Sequence, residues 1–131
     1  MECPECGGER RTFAVPSELR ADVPDRPSSI LLCTRCLAFE PVENPDVEPS
    51  NFATISDALP DEPDAAAGMV LATALLSSLA LYRQHVDALF DRVEAAGVDP
   101  LLVLDRLAAD PNLDPNFDIE SRRRQLLQLR D

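Results

Sequence analysis

The chain has 131 residues, of which 24 are acidic and 12 basic, so its net charge is −12 and its pI is near 4.3. That length accommodates one ordinary domain, or a small module followed by a helical one. A hydrophobic content of 45% is a globular composition, and no stretch is basic enough to form a nucleic-acid patch.

Every basic residue is arginine; lysine is absent. An acidic, lysine-free coat keeps a protein soluble by self-repulsion and hydration at some cost to compactness. It is the coat expected of a cytoplasmic protein from an extreme halophile, because in molar salt the Debye length falls to about 3 Å and the repulsion is screened. The charge is uneven. Residues 1–42 carry seven acids against five arginines, whereas residues 43–131 carry seventeen against seven.

Taken in order, the chain opens on Cys3 and Cys6 in C-P-E-C-G, which a C-T-R-C pair at Cys33 and Cys36 answers after a 26-residue spacer. Two C-x-x-C pairs are the ligand set of a structural zinc site, four thiolates around one Zn²⁺. Pro4 stiffens the first turn, and Gly7 supplies the permissive backbone needed just after the second ligand. The spacer exceeds the usual length, which costs little entropy. Redox-active dithiols and two disulfides are the rival readings. The first lacks the strand-to-helix junction on which a redox C-x-x-C sits. The second conflicts with the reducing cytosol expected from the lack of a signal peptide. Four protein ligands leave no open position for a catalytic zinc.

Glu9–Val15 reads as a strand leaving the first knuckle, Pro16–Ser29 as a spacer loop, and Ser29–Cys33 as an apolar run into the second knuckle. Leu37–Val42 is the strand leaving it. Strand, knuckle, strand is the layout of a zinc ribbon. Phe13, Ile30, Leu32 and Phe39 would form its core, which is too small to fold without metal. Residues 43–61 form an acidic, proline-interrupted linker, in which Phe52, Ile55 and Leu59 at helical spacing would dock on the helices C-terminal to it.

From Ala65 to Tyr82 there is no charge. An apolar stripe from Leu71 to Val93 predicts one long helix of about 30 residues. Asp61 is its expected N-cap, Gly97 its C-terminal stop, and Ser77–Ser78 a candidate kink. Eighteen uncharged residues meet the length of a membrane span, but ten of them are Ala, Gly, Ser or Thr, and a buried soluble helix is the favoured reading. A helix apolar all round must be covered on all sides. So short a chain offers few elements to do this, so a homodimer through this helix is expected. Asp99-Pro100 caps a short helix bearing Leu101, Leu102, Leu104, Leu107 and Ala108. Asp118 starts a last one bearing Ile119, Leu126, Leu127 and Leu129. The fold class is therefore α+β: a zinc ribbon over 1–42, the linker, and a helical interaction domain over 62–131.

The rest of the chain offers little chemistry. His85, near Asp87, Asp91 and Glu94, reads as a solvated helix face and not as a second metal site. Arg122, Arg123 and Arg124 read as a solvent stripe paired to acidic neighbours. With no phosphate loop and no nucleophile–base pair, no catalytic residue is assigned, and an enzyme is not expected. The favoured function is that of an adaptor or regulator for an unidentified protein partner. The alternative is a ribbon that binds nucleic acid in transcription or translation through Arg10, Arg11 and Arg35, with Arg20 and Arg26 nearby. A redox-active dithiol protein ranks third.

The C-P-x-C-G knuckle at the extreme N-terminus, the second C-x-x-C, the missing lysine and the acidic coat resemble the small C-P-x-C-G zinc-finger proteins of haloarchaea. Across the whole chain the resemblance is to a haloarchaeal family of unknown function. It implies zinc ligands at Cys3, Cys6, Cys33 and Cys36 and brings no activity with it. The second pair departs from the pattern: Thr34 stands in place of proline and Leu37 in place of glycine.

Overall fold

The computed structural model describes residues 2–43 and 52–130. The first part of the expected linker, with Pro45 and Pro49, lies outside them. Three antiparallel strands, β1 (Arg10–Ala14), β2 (Ser29–Cys33) and β3 (Phe39–Val42), form a sheet in the order β1-β2-β3. Phe13 faces Ile30 and Leu32 faces Phe39 across the ladders. The edge strand β3 tolerates Pro41 because an edge position need not donate to a ladder.

A helix of 33 residues, Pro63–Ala95, comes next, interrupted by a 3₁₀ turn at Leu76–Ser78 into arms α1 (Pro63–Leu75) and α2 (Leu79–Ala95). The break falls on the serine pair, where hydroxyls compete for backbone carbonyls: Ser77 Oγ donates to Ala74 O at 3.0 Å. The N-cap is Glu62 and not Asp61, its carboxylate accepting from Ala65 N at 2.6 Å, with Pro63 at the first helical position. At the other end Gly97 has φ +87. Gly97 N donates to Glu94 O and Val98 N to Val93 O, the paired bonds of a Schellman stop. Two shorter helices complete the fold: α3 (Pro100–Ala108), capped by Asp99, and α4 (Ile119–Arg130), whose first turn is held by Asp118. On α3 it is Val103 that is buried, while Leu102 points outward, and Leu129 of α4 is likewise exposed.

Residues 65–76 are buried on every face. The cover comes from the chain itself: α2 along one side, a 3₁₀ turn at Phe52–Ile55 on another, and α3 at its flank. The expectation that a second copy is needed to cover this helix therefore loses its premise. The whole Pro63–Ala95 helix is long and apolar enough by composition to cross a membrane, yet 72% of its most apolar window is buried within the chain. Gly68 permits the close approach of α2, since a Cβ there would lie 3.0 Å from Val93 Cγ2.

One core runs from the sheet into the helices. Phe13, Ile30 and Leu32 are fully buried, but in contact with the helical core and not as a separate cluster. Phe52 is the hinge of this continuity. It leaves the linker as expected, stacks on Phe13 with ring centroids 4.7 Å apart, and rests in the turn that packs on α1. The long spacer is a second bridge. Leu19 and Val23 are buried in the same core. Its 3₁₀ turn at Arg20–Asp22 lies on α2, where the Asp22 carboxylate pairs with Arg92 and the Asp22 carbonyl meets His85 Nδ1 at 3.1 Å. His85 is thus half-buried as a docking residue, neither solvated nor placed among metal ligands.

Truncating Phe52 to Ala is expected to cost about 3–5 kcal/mol, read as a lower urea midpoint. An effect below about 1 kcal/mol would show that the sheet and helices are held together elsewhere.

Candidate metal centre

Each cysteine pair sits in a tight turn, and the two turns repeat one another bond for bond. Cys3 N donates to Gly8 O at 2.7 Å and Gly7 N to Cys3 O at 2.9 Å. Cys33 N donates to Ala38 O at 2.9 Å and Leu37 N to Cys33 O at 3.0 Å. The sulfurs are held the same way. Gly8 N donates to Cys6 Sγ at 3.3 Å, and Arg35 N and Cys36 N donate to Cys33 Sγ at 3.4 Å. The N–H groups of Glu5 and Cys6 serve Cys3, and that of Ala38 serves Cys36. Thr34 N closes the second turn onto Glu9 O, just before β1, at 3.0 Å. Backbone donors aimed at sulfur stabilise thiolate over thiol.

The four Sγ atoms all lie within 4.8 Å of one another, with Cys3–Cys36 at 3.7 Å and Cys6–Cys33 at 3.5 Å. Sulfurs about 2.3 Å from a central ion stand about 3.8 Å apart at the corners of a tetrahedron, so the donor set fits one thiophilic ion. Those separations are far beyond a disulfide bond of about 2.05 Å, and all four cysteines are free. Among the described residues this is the group that could hold a metal. Without an ion, burial opposes ionisation of Cys3, but the amides of Glu5 and Cys6 outweigh it and hold the thiol down at about 7. Burial pushes the Cys36 thiol well above the usual cysteine range despite the Ala38 amide.

Two residues beside the ligands set the geometry. Gly7 has φ +76, as its expected role requires, and Leu37 occupies the equivalent position at φ +65. A left-handed conformation costs a branched residue about 1–2 kcal/mol. Leu37 accepts that cost because its side chain is buried in the main core, where a leucine contributes more. It is the peg that fastens the second turn to the helical body. Gly8 carries no signal in the motif spacing. A Cβ there would lie 2.9 Å from Arg35 Cβ and 3.1 and 3.2 Å from the sulfurs of Cys33 and Cys6. A side chain there would press on the opposite turn and on two of the sulfurs, so the close approach of the two turns relies on this residue having none.

The basic residues expected near nucleic acid are mostly engaged. Arg10 faces Glu40 at 3.6 Å, Arg35 faces Asp114 at 4.0 Å, and Arg20 donates to Val15 O. Arg11 lies over the Phe13 ring at 5.0 Å. Of these, Arg11 and Arg35 share a depression on the surface. In the arginine run of α4, Arg123 pairs with Asp105 at 3.0 Å, as the solvent-stripe reading expects, while Arg122 and Arg124 bond to neutral oxygens.

Leu37→Gly relieves strain but empties a core site, and a net destabilisation of about 1–3 kcal/mol is expected in denaturant melts. Gly8→Ala should weaken metal binding with little change in helical content, as read by chelator competition. Because thiols must lose protons to bind, metal affinity should fall as pH falls from about 8 to 5, with protons taken up on release. Stripping the metal should loosen residues 3–8 and 33–38 while helical ellipticity persists, because the core of the sheet is continuous with that of the helices. Collapse of the helical signal on chelation would contradict this.

No curated protein and no solved structure matches the chain. A family model described as "Family of unknown function (DUF6276)" matches residues 2–130. With both cysteine turns, the sheet and helices α1 to α4 inside that match, the chain belongs to this family of unknown function.

Proposed function

We propose that this is a zinc-ribbon protein that does no chemistry of its own and serves as an adaptor or regulator for a protein partner. The observation that carries the reading is the closed donor set. Four cysteine sulfurs, each held by backbone N–H groups, surround one position, and an ion bound by all four has no site left for substrate or water. Among thiophilic ions Zn²⁺ suits four thiolates at the corners of a tetrahedron and has no redox chemistry. The acidic, lysine-free surface supports work in the cytoplasm of a cell with molar internal salt, in keeping with a haloarchaeal source. Since α1 is covered within one chain, a homodimer would have to use exposed residues such as Leu81, Leu102 or Leu129.

Nucleic-acid binding by the ribbon is the second reading, and the shared depression between Arg11 and Arg35 is what favours it. Against it stand the carboxylates beside Arg10 and Arg35, and the loss of phosphate affinity in high salt.

The purified protein is expected to hold one zinc per chain, falling well below that in Cys36→Ser. Cobalt substitution should give tetrahedral visible bands and sulfur-to-metal charge transfer. Disulfide-linked cysteines without metal would favour the redox reading instead. Affinity capture from native lysate in molar KCl, with and without nuclease, separates the other two. A protein partner that persists after nuclease supports the adaptor. RNA or DNA lost in Arg11→Gln and Arg35→Gln would move the function to nucleic-acid recognition.

A further inference from the structure

Beside the second cysteine turn lies a cleft of about 470 Å³, walled by that turn, by β3, by the end of the spacer, by the break in the long helix and by the start of α4. Unusual backbone gathers around it. Asp25 has φ +68 and Leu37 φ +65, and Ser78 (φ −132, ψ 55) and Tyr82 (φ −113, ψ 18) leave helical geometry. All four line the cleft. The conformation of Leu37 is accounted for by its burial. Asp25 sits at a turn position after Pro24, where glycine or asparagine would be at ease, and places a carboxylate there instead. The helix break turns Ser77 and Ser78 outward into the cleft. Non-glycine residues held in such conformations gather at ligand sites, where the surrounding fold sustains them.

The polar groups of the cleft are of both signs. Arg122 donates to Gln125 Oε1 at 3.0 Å and to Ser77 O at 3.5 Å, both neutral. Among the described residues no carboxylate comes within ion-pair distance of it. Asp25 is exposed and likewise has no cationic partner among them. The carboxylate of Glu5 takes one bond from the Asn116 amide at 3.1 Å. Between these groups, Leu75, Phe39 and Phe117 offer apolar wall.

We propose that this cleft binds a small zwitterion of the free amino-acid or dipeptide class. The ligand's carboxylate would meet Arg122, its ammonium Asp25 and Glu5, and its apolar side chain the Leu75–Phe39–Phe117 wall. A simple anion would be repelled by the two carboxylates, and a simple cation would leave Arg122 unpaired, so only a ligand of both charges answers the whole lining. The volume is that of a small-molecule site and admits one or two residues.

The test is calorimetric titration of the metal-loaded full chain in molar KCl with L-leucine, L-phenylalanine and the dipeptide Phe-Leu. N-acetyl-phenylalanine and phenylalanine amide serve as charge-blocked analogues. At least one zwitterion should bind at one per chain, and each blocked analogue should be weaker by about tenfold or more. Arg122→Gln should erase the preference for a free carboxylate. Asp25→Asn should reduce the preference for a free amine, leaving Glu5 as its remaining carboxylate, while keeping the turn, because asparagine tolerates positive φ. Failure of every zwitterion to bind would overturn the proposal. So would binding that ignores the blocking groups or is unchanged in both variants.

Discussion

A helix without a polar face has to be enclosed, and the enclosure of α1 organises this protein. Residues 65–76 present apolar or small side chains in every direction, so no orientation against a single neighbour can hide them. The rest of the chain is arranged as cover. The break at Leu76–Ser78 lets the second arm fold back along the first, and Gly68 allows the two arms to approach. The Phe52 turn, α3 and the sheet-borne core close the remaining sides.

This demand explains why the ribbon is not an independent bead. A three-stranded sheet with a handful of apolar residues is a marginal structure by itself. Here its inner face is a wall of the larger core, joined by the Phe13–Phe52 stack and by Leu37. The cysteine cluster is therefore held from two directions, by the paired turns that bring four sulfurs together and by a peg in the core. The positive φ of Leu37 is the visible trace of that second hold: burial outweighs the backbone cost.

Surface charge acts on a different scale. Among the described residues the ion pairs involve exposed groups, as in Arg35–Asp114 and Arg83–Asp87, and such pairs contribute little. The arginines position loops and helix ends more than they stabilise the whole. Arg83, donating to the Leu129 carbonyl near the end of α4, and Arg92, paired with Asp22 of the spacer, are examples. The acidic coat governs solubility, and apolar burial governs shape.

Local chemistry was legible in the residues alone. Paired C-x-x-C spacing brings four sulfurs together because a two-residue gap leaves a turn few choices. The strands, the long helix with its serine break, the Gly97 stop and the Asp99 and Asp118 caps arise from short-range sterics and hydrogen bonding. The residues that join the parts were not legible in this way. Whether α1 is covered by its own chain, why Leu37 stands where a glycine is usual, why Gly8 must lack a side chain, and why the spacer is long all depend on contacts distant in sequence. Val103 replaced Leu102 as a core residue for the same reason, since the face of a short helix is chosen by what it packs against. Only the tertiary structure decides such matters, because burial and close approach belong to pairs of segments and not to either segment alone.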